Sequence, residues 1–190
     1  MTKEIRFESP WFGEMFRVYD GHVMIGEVPL FPPGAGHVMP SSFGGMTKVT
    51  DVSDNRIVHS DQSFDFHYDW CADSLFNALP LQLGAILPGL ADPAAWEIRT
   101  MVEGMGPGLE AIVNTRFEPF IQGIGVAPWE TRYNATVRIA PPAGGTWPTG
   151  VYDVVVTIQL VGYNAATNTV TARLPVAGFA ELGKLQVYDA

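Results

Sequence analysis

Any chemistry in this chain is expected in HSDQSFDFHYDWC, residues 59 to 71, where His59, Asp61, Ser63, Asp65, His67, Asp69 and Cys71 alternate with apolar Phe64, Phe66, Tyr68 and Trp70. Alternation of that kind is the signature of a β-strand, on which residues two apart point the same way at a spacing of about 6.6 Å. A His-x-Asp pair can share one ion, which makes Asp65, His67 and Asp69 the metal-ligand candidates. A straight strand brings at most two of them to one ion, whereas a zinc site takes three or four protein ligands. The remainder would have to come from His22, His37, His59, Glu97 or Glu103, and no second His-x-His or Cys cluster supplies them. The sequence therefore predicts no metal or other cofactor, and the row reads as a solvated or interfacial strand face. On such a face Asp65 and Asp69 favour a protonated His67. A charge change somewhat above the free-histidine value of about 6.5, and assembly that responds to pH, are the expectation.

Other reaction classes find little footing. No GxSxG motif is present, and Cys71, the single cysteine, has no flanking glycines to present it as a nucleophile. GMGPG, residues 104 to 108, carries a proline that removes a donor and has no Lys-Ser/Thr pair after it, so it reads as a turn and not as a phosphate cradle. DVSDNRIVHSDQ places Asp51, Ser53 and Asn55 like the first ligands of a calcium loop. Arg56 then stands where such a loop needs glycine and Gln62 where it needs glutamate, so this stretch too reads as a turn. These absences predict a protein that is not an enzyme.

Composition narrows the partners. With 190 residues the chain is long enough to bury one sizeable core, and a single domain over 1–190 is expected. Charged residues make up only 16%, against roughly 25% in soluble domains. A surface so short of charge is expected to be covered in part by further subunits, which predicts a homo-oligomer or larger assembly. The net charge of -9 and the scattering of eleven Lys and Arg argue against nucleic acid. The segment MTKEIRFESPWF lacks the features of a secretory leader, so extracellular or particle assembly by a leaderless route is weighed slightly above the cytoplasm, with the compartment open.

The elements that must position these residues are strands. Period-two patterning dominates, with candidates at 4–7, 16–19, 22–28, 48–52, 63–71, 95–102, 131–139, 151–161, 169–174 and 184–188. TRYNATVRIA turns Tyr133, Ala135, Val137 and Ile139 to one face and Arg132, Asn134, Thr136 and Arg138 to the other, while VYDVVVTIQLV turns Tyr152, Val154, Val156, Ile158 and Leu160 inward before YNAATN reverses the chain. The fold class expected is all-β: a single-domain antiparallel β-sandwich with Greek-key connections. PTGVYDVVVTIQL resembles the tyrosine-corner segment of immunoglobulin-like β-sandwiches, with Tyr152 at the corner position and Val154 where antibody domains carry cysteine. The resemblance covers the C-terminal third and implies a sandwich, without a function.

Long apolar Pro/Gly-rich loops complete the reading. Residues 28–47, VPLFPPGAGHVMPSSFGGMT, and 74–91, SLFNALPLQLGAILPGLA, carry no Asp, Glu, Lys or Arg. The second approaches the length of a membrane span, but Pro80, Gly84, Pro88 and Gly89 interrupt it, so no transmembrane segment is expected. Leu30, Phe31, Val38, Met39 and Phe43 in the first, and Leu81, Leu83, Ile86 and Leu87 in the second, are costly to leave in water and are the predicted interface residues, unless both loops fold back as lids on the core. The leading functional reading is a non-enzymatic, self-associating subunit of a filament, surface layer, appendage or particle. The alternatives are a carbohydrate- or ligand-binding module, with Trp11, Trp96, Trp129 and Trp147 as stacking candidates for a glycan, and a small metal-dependent enzyme on a β scaffold.

Overall fold

In the computed structural model the described residues are 2–8, 16–27, 56–61, 63–74, 92–106, 110–121, 130–141 and 145–189. They are all-β, with no helix among them. Nine strands follow one another: β1 (Thr2–Glu8), β2 (Phe16–Glu27), β3 (Arg56–His59), β4 (Phe64–Ser74), β5 (Ala94–Gly104), β6 (Glu110–Pro119), β7 (Glu130–Ile139), β8 (Gly150–Asn164) and β9 (Thr169–Tyr188). Eight lie side by side in the order β6-β5-β8-β9-β1-β2-β4-β7, every pairing antiparallel, and β3 adds parallel to the end of β9.

The two ends of this row nearly meet. Arg116 on β6 donates through Nη1 to the Thr136 carbonyl on β7 at 2.8 Å, and the Ile121 carbonyl, just beyond β6, accepts from the Tyr133 hydroxyl at 3.1 Å. β1 makes the turn on the other side: Thr2 to Ile5 ladder to β2, then Arg6 to Glu8 ladder to β9. The sheet is thereby almost closed around one core.

Aromatic side chains of β4 fill that core, as their even-numbered spacing requires. Phe64, Phe66, Tyr68 and Trp70 are buried; Phe64 stacks on Trp147 with ring centroids 5.5 Å apart, and the Tyr68 hydroxyl meets Thr100 Oγ1 of β5 at 2.6 Å. β4 and β5 are not sheet neighbours, so that bond spans the interior. Inward faces follow the predicted alternation: Tyr133, Ala135, Val137 and Ile139 on β7, and Tyr152, Val154, Val156, Ile158 and Leu160 on β8, are all buried. The Tyr152 hydroxyl donates to the Pro148 carbonyl four residues upstream at 2.7 Å.

Several boundaries differ from the sequence reading. The expected strands 16–19 and 22–28 join, over the described residues 16–27, into one strand, β2, running through an irregularity at Asp20, whose φ is 52°. β9 is likewise continuous where two short strands were expected: Pro175 lies where the β8–β9 register shifts between Gln159 and Val161, and a bulge tolerates a residue without an amide donor. β6 was not expected, because its mixed surface gives EAIVNTRFEP little alternation. β3 occupies part of the stretch read as a turn. The candidate strand 48–52 lies outside the described residues.

One close approach fixes how β1 crosses. The ring of Phe7 lies over two glycines, such that a Cβ on Gly178 or on Gly21 would stand 2.5 Å from ring carbons. Gly178→Ala therefore pushes Phe7 and the nearby Ile5 methyl aside, at an expected cost of about 1–3 kcal/mol by overpacking. Urea denaturation measures it, and an unchanged midpoint would show that β1 has room to shift.

Candidate functional site

The row singled out by sequence does come together, on the outer face of β4 between β2 and β7. Register sets Asp65 opposite Arg138 and Gly26, His67 opposite Thr136 and Met24, and Asp69 opposite Asn134 and His22. The expectation of a solvated strand face is not met for the row itself: Asp65, His67 and Asp69 are 5%, 2% and 3% exposed. Part of the cover comes from β7, whose long Arg138 and Arg132 side chains reach across β4. Arg138 clasps Asp65 with two bonds, Nε to Oδ1 at 2.9 Å and Nη2 to Oδ2 at 3.0 Å. Arg132 clasps Asp69 in the same way, with Nε at 2.9 Å from Oδ1 and Nη2 on Oδ2. Between the two pairs His67 Nδ1 meets Thr136 Oγ1 at 2.8 Å.

This geometry bears on both chemical readings of the row. Each aspartate presents its two oxygens to a fork-shaped guanidinium, the strong bidentate form of the ion pair. A metal would have to displace both arginines, and among the described residues no group of three or more His, Cys, Asp or Glu is placed to hold one. Both carboxylates that flank His67 are engaged as ion pairs. Arg132 is held firmly charged, mainly by its hydrogen bonds to Asp69, with burial opposing.

Neighbouring reactive groups are quiet. Burial pushes the Cys71 thiol up to about 11, with Arg132 pulling the other way, so little thiolate exists at neutral pH. Cys71 in the native protein is expected to react with a disulfide reagent at pH 8 at least tenfold more slowly than in urea-unfolded protein; equal rates would contradict its burial. His59 Nδ1 lies 2.5 Å from Asp61 Oδ1, and the His59 ring meets Tyr188 edge-on at 5.4 Å, away from the β4 row on the short β3 strand.

The same outward pairing recurs across the molecule, and composition alone hid it. Glu97 on β5, 2% exposed, receives Arg99 Nη2 at 2.7 Å and Arg173 Nη1 at 2.5 Å, and Arg173 also reaches Gln159 at 2.8 Å. Burial raises the pKa of Glu97, but the bonds from Arg173 and Arg99 together with their charges outweigh it, so the carboxyl stays below its ordinary range. Asp153 pairs with Lys184, Asp73 with Arg17 and Glu118 with Arg116. Seven basic side chains are thus taken up by cross-strand or same-strand carboxylates.

Of the stacking candidates, Trp96 and Trp147 are buried in the core. Trp11 and Trp129 lie outside the described residues. So do all the predicted interface residues: Leu30, Phe31, Val38, Met39, Phe43, Leu81, Leu83, Ile86 and Leu87. Among the described residues no helix is long and apolar enough to cross a membrane. Sequence reasoning missed two surface features formed between strands. One is an open groove of about 470 Å³ over β6, β5 and β8. The other is a shallow cavity of about 220 Å³ beside the stacked rings of Phe117 and Tyr163, centroids 3.9 Å apart. No protein-family model matches this sequence, and no curated protein is detectably similar to it.

Proposed function

We propose that this chain is a non-enzymatic structural subunit that associates with copies of itself in a filament, surface layer, appendage or particle. One observation carries the reading: large apolar side chains stand in water on the described surface, with Met105 60%, Ile112 52%, Phe179 47% and Tyr188 43% exposed. Many of the described basic side chains are drawn into intramolecular pairs with carboxylates. Such a surface gains from contact with another apolar surface at roughly 25 cal/mol per Å² of apolar area removed from water.

The architecture proposed with it is a two-layer, immunoglobulin-like sandwich with Greek-key connections. Two features support that: β1 changes partner from β2 to β9 half-way along, as a strand shared between layers would, and Tyr152 bonds back to Pro148. An extracellular or particle-borne setting belongs to the same proposal, tested by fractionating the source cells. The central test is mass in solution by light scattering over a concentration series, with negative-stain imaging. Concentration-dependent oligomers or ordered assemblies are expected; a clean monomer at ~1 mM with no particles would sink the proposal.

A second reading, ligand binding, is supported by the cavity beside Phe117 and Tyr163, where Asp92 and Asn164 supply polar groups next to an aromatic platform. Saturable binding on a glycan array, lost in Tyr163→Ala, would favour it over self-association.

A further inference from the structure

We infer that an extended, basic segment of a partner protein adds to the outer edge of β6 and sets its side chains into the groove over β6, β5 and β8. The groove goes beyond self-association, because its chemistry asks for something this chain has little of.

Register builds the groove from two outward rows. In the first, Glu110 of β6 stands opposite Glu103 of β5, which stands opposite Asp153 of β8. In the second, Ile112 stands opposite Met101, which stands opposite Val155. A register shift between Thr100 and Met101 sits at the end of these rows, and the resulting trough holds about 470 Å³. Its floor is therefore apolar and its rim acidic. Directly opposed like charges weaken an antiparallel pair. Elsewhere on the outer face carboxylates such as Asp65, Asp69 and Glu97 have an arginine against them, and within the groove Asp153 is paired with Lys184. Glu103 and Glu110 are the exception within the groove: both are exposed, and no described cation lies against either.

Three arguments choose the occupant. A metal ion is disfavoured, since these carboxylates are not arranged as a group able to hold one. A second copy is disfavoured by charge, because the chain carries -9 overall and, among the described residues, seven basic side chains are already paired. Extended form follows from β6 itself: it is an end strand laddered only to β5, and the described side-chain ties to β7 reach no nearer its start than Arg116. Among the described residues no strand ladders to the outer edge of β6 along Glu110 to Thr115, and a strand added there sets arginine or lysine against Glu103 and Glu110 and apolar neighbours over Ile112 and Met101.

The test uses the full chain and a fluorescein-labelled eight-residue peptide in which arginine alternates with valine. Saturable binding by anisotropy is expected, weakening at least fivefold between 50 and 300 mM salt, as exposed ion pairs do. Replacing arginine by glutamate in the peptide should abolish binding, and the double variant Glu103→Gln, Glu110→Gln should weaken it tenfold or more. A peptide with alternate backbone amides methylated should lose binding if it adds as a strand. Glutamines of the same shape at exposed positions leave the fold intact, which circular dichroism checks. The inference is overturned by no saturation at ~1 mM, by equal binding of the glutamate peptide, or by an unchanged affinity of the double variant. Light scattering of that variant separates the two proposals: self-association retained with peptide binding lost is the result expected here.

Discussion

Trp70→Ala should lower the free energy of unfolding by about 3–5 kcal/mol, the usual cost of emptying a large buried aromatic site. Trp70 has no solvent exposure; its ring stacks on Tyr133 at 5.2 Å and meets Trp96 edge-on at 5.8 Å. These three rings join β4, β7 and β5, so the substitution opens a cavity where three strands meet around the core. Typical domains are stable by only about 5–15 kcal/mol, and a loss of this size leaves the variant unfolded or barely folded at 37 °C. Trp70→Phe keeps the stacked ring and should cost about half as much or less. Urea denaturation followed by circular dichroism gives both numbers, and a change under ~1 kcal/mol for the alanine variant would mean the ring cluster is not the centre of the core.

Acid should destabilise the protein in part through Glu97. Its folded-state pKa lies below the ordinary carboxylate value, because two arginines outweigh its burial. A lowered folded pKa means that the unfolded state takes up the proton first. The stabilisation is complete above the ordinary value of about 4.3, and is lost as pH falls through the folded value. Glu97→Gln removes that dependence and leaves Arg99 and Arg173 facing a neutral amide. At pH 7 the variant should be less stable by about 1–3 kcal/mol, as expected for charged hydrogen bonds to a buried group. Toward pH 3 the difference should shrink. Thermal denaturation from pH 7 to 3 measures it; two parallel curves would show that Glu97 is not a source of the acid sensitivity.

Much of the fold is legible in the alternation of residue types. Phe64 to Trp70, Tyr133 to Ile139 and Tyr152 to Leu160 change side at every step, and a pleated strand has no other way to turn one set toward the core and the other away from it. β6 escaped because a strand at the end of a sheet has no sharply defined inside; Ile112 and Val113 are both apolar there, one exposed and one partly buried. β9 escaped in its middle because Pro175 and Gly178 look like breakers. One sits at a bulge and the other makes room for the Phe7 ring, and both roles depend on a strand far away in sequence.

The outer face shows the same division. Spacing alone places Asp65, His67 and Asp69 on one side of one strand, and limits how many ligands that strand can offer. It does not tell which strand lies alongside, because that is settled by how the whole sheet pairs. Only the laddering of β4 to β7 brings Arg138 and Arg132 onto the two aspartates, 73 and 63 residues away, and turns an apparent row of ligands into buried ion pairs. The two rows of the groove arise likewise: Glu110, Glu103 and Asp153 are unremarkable in the chain and become a charged rim only in register. By itself the sequence determined which side chains face in and which face out, since that follows from local period. Tertiary structure decided which outward groups meet, since contact across a sheet depends on strand order and register, which local patterning does not encode.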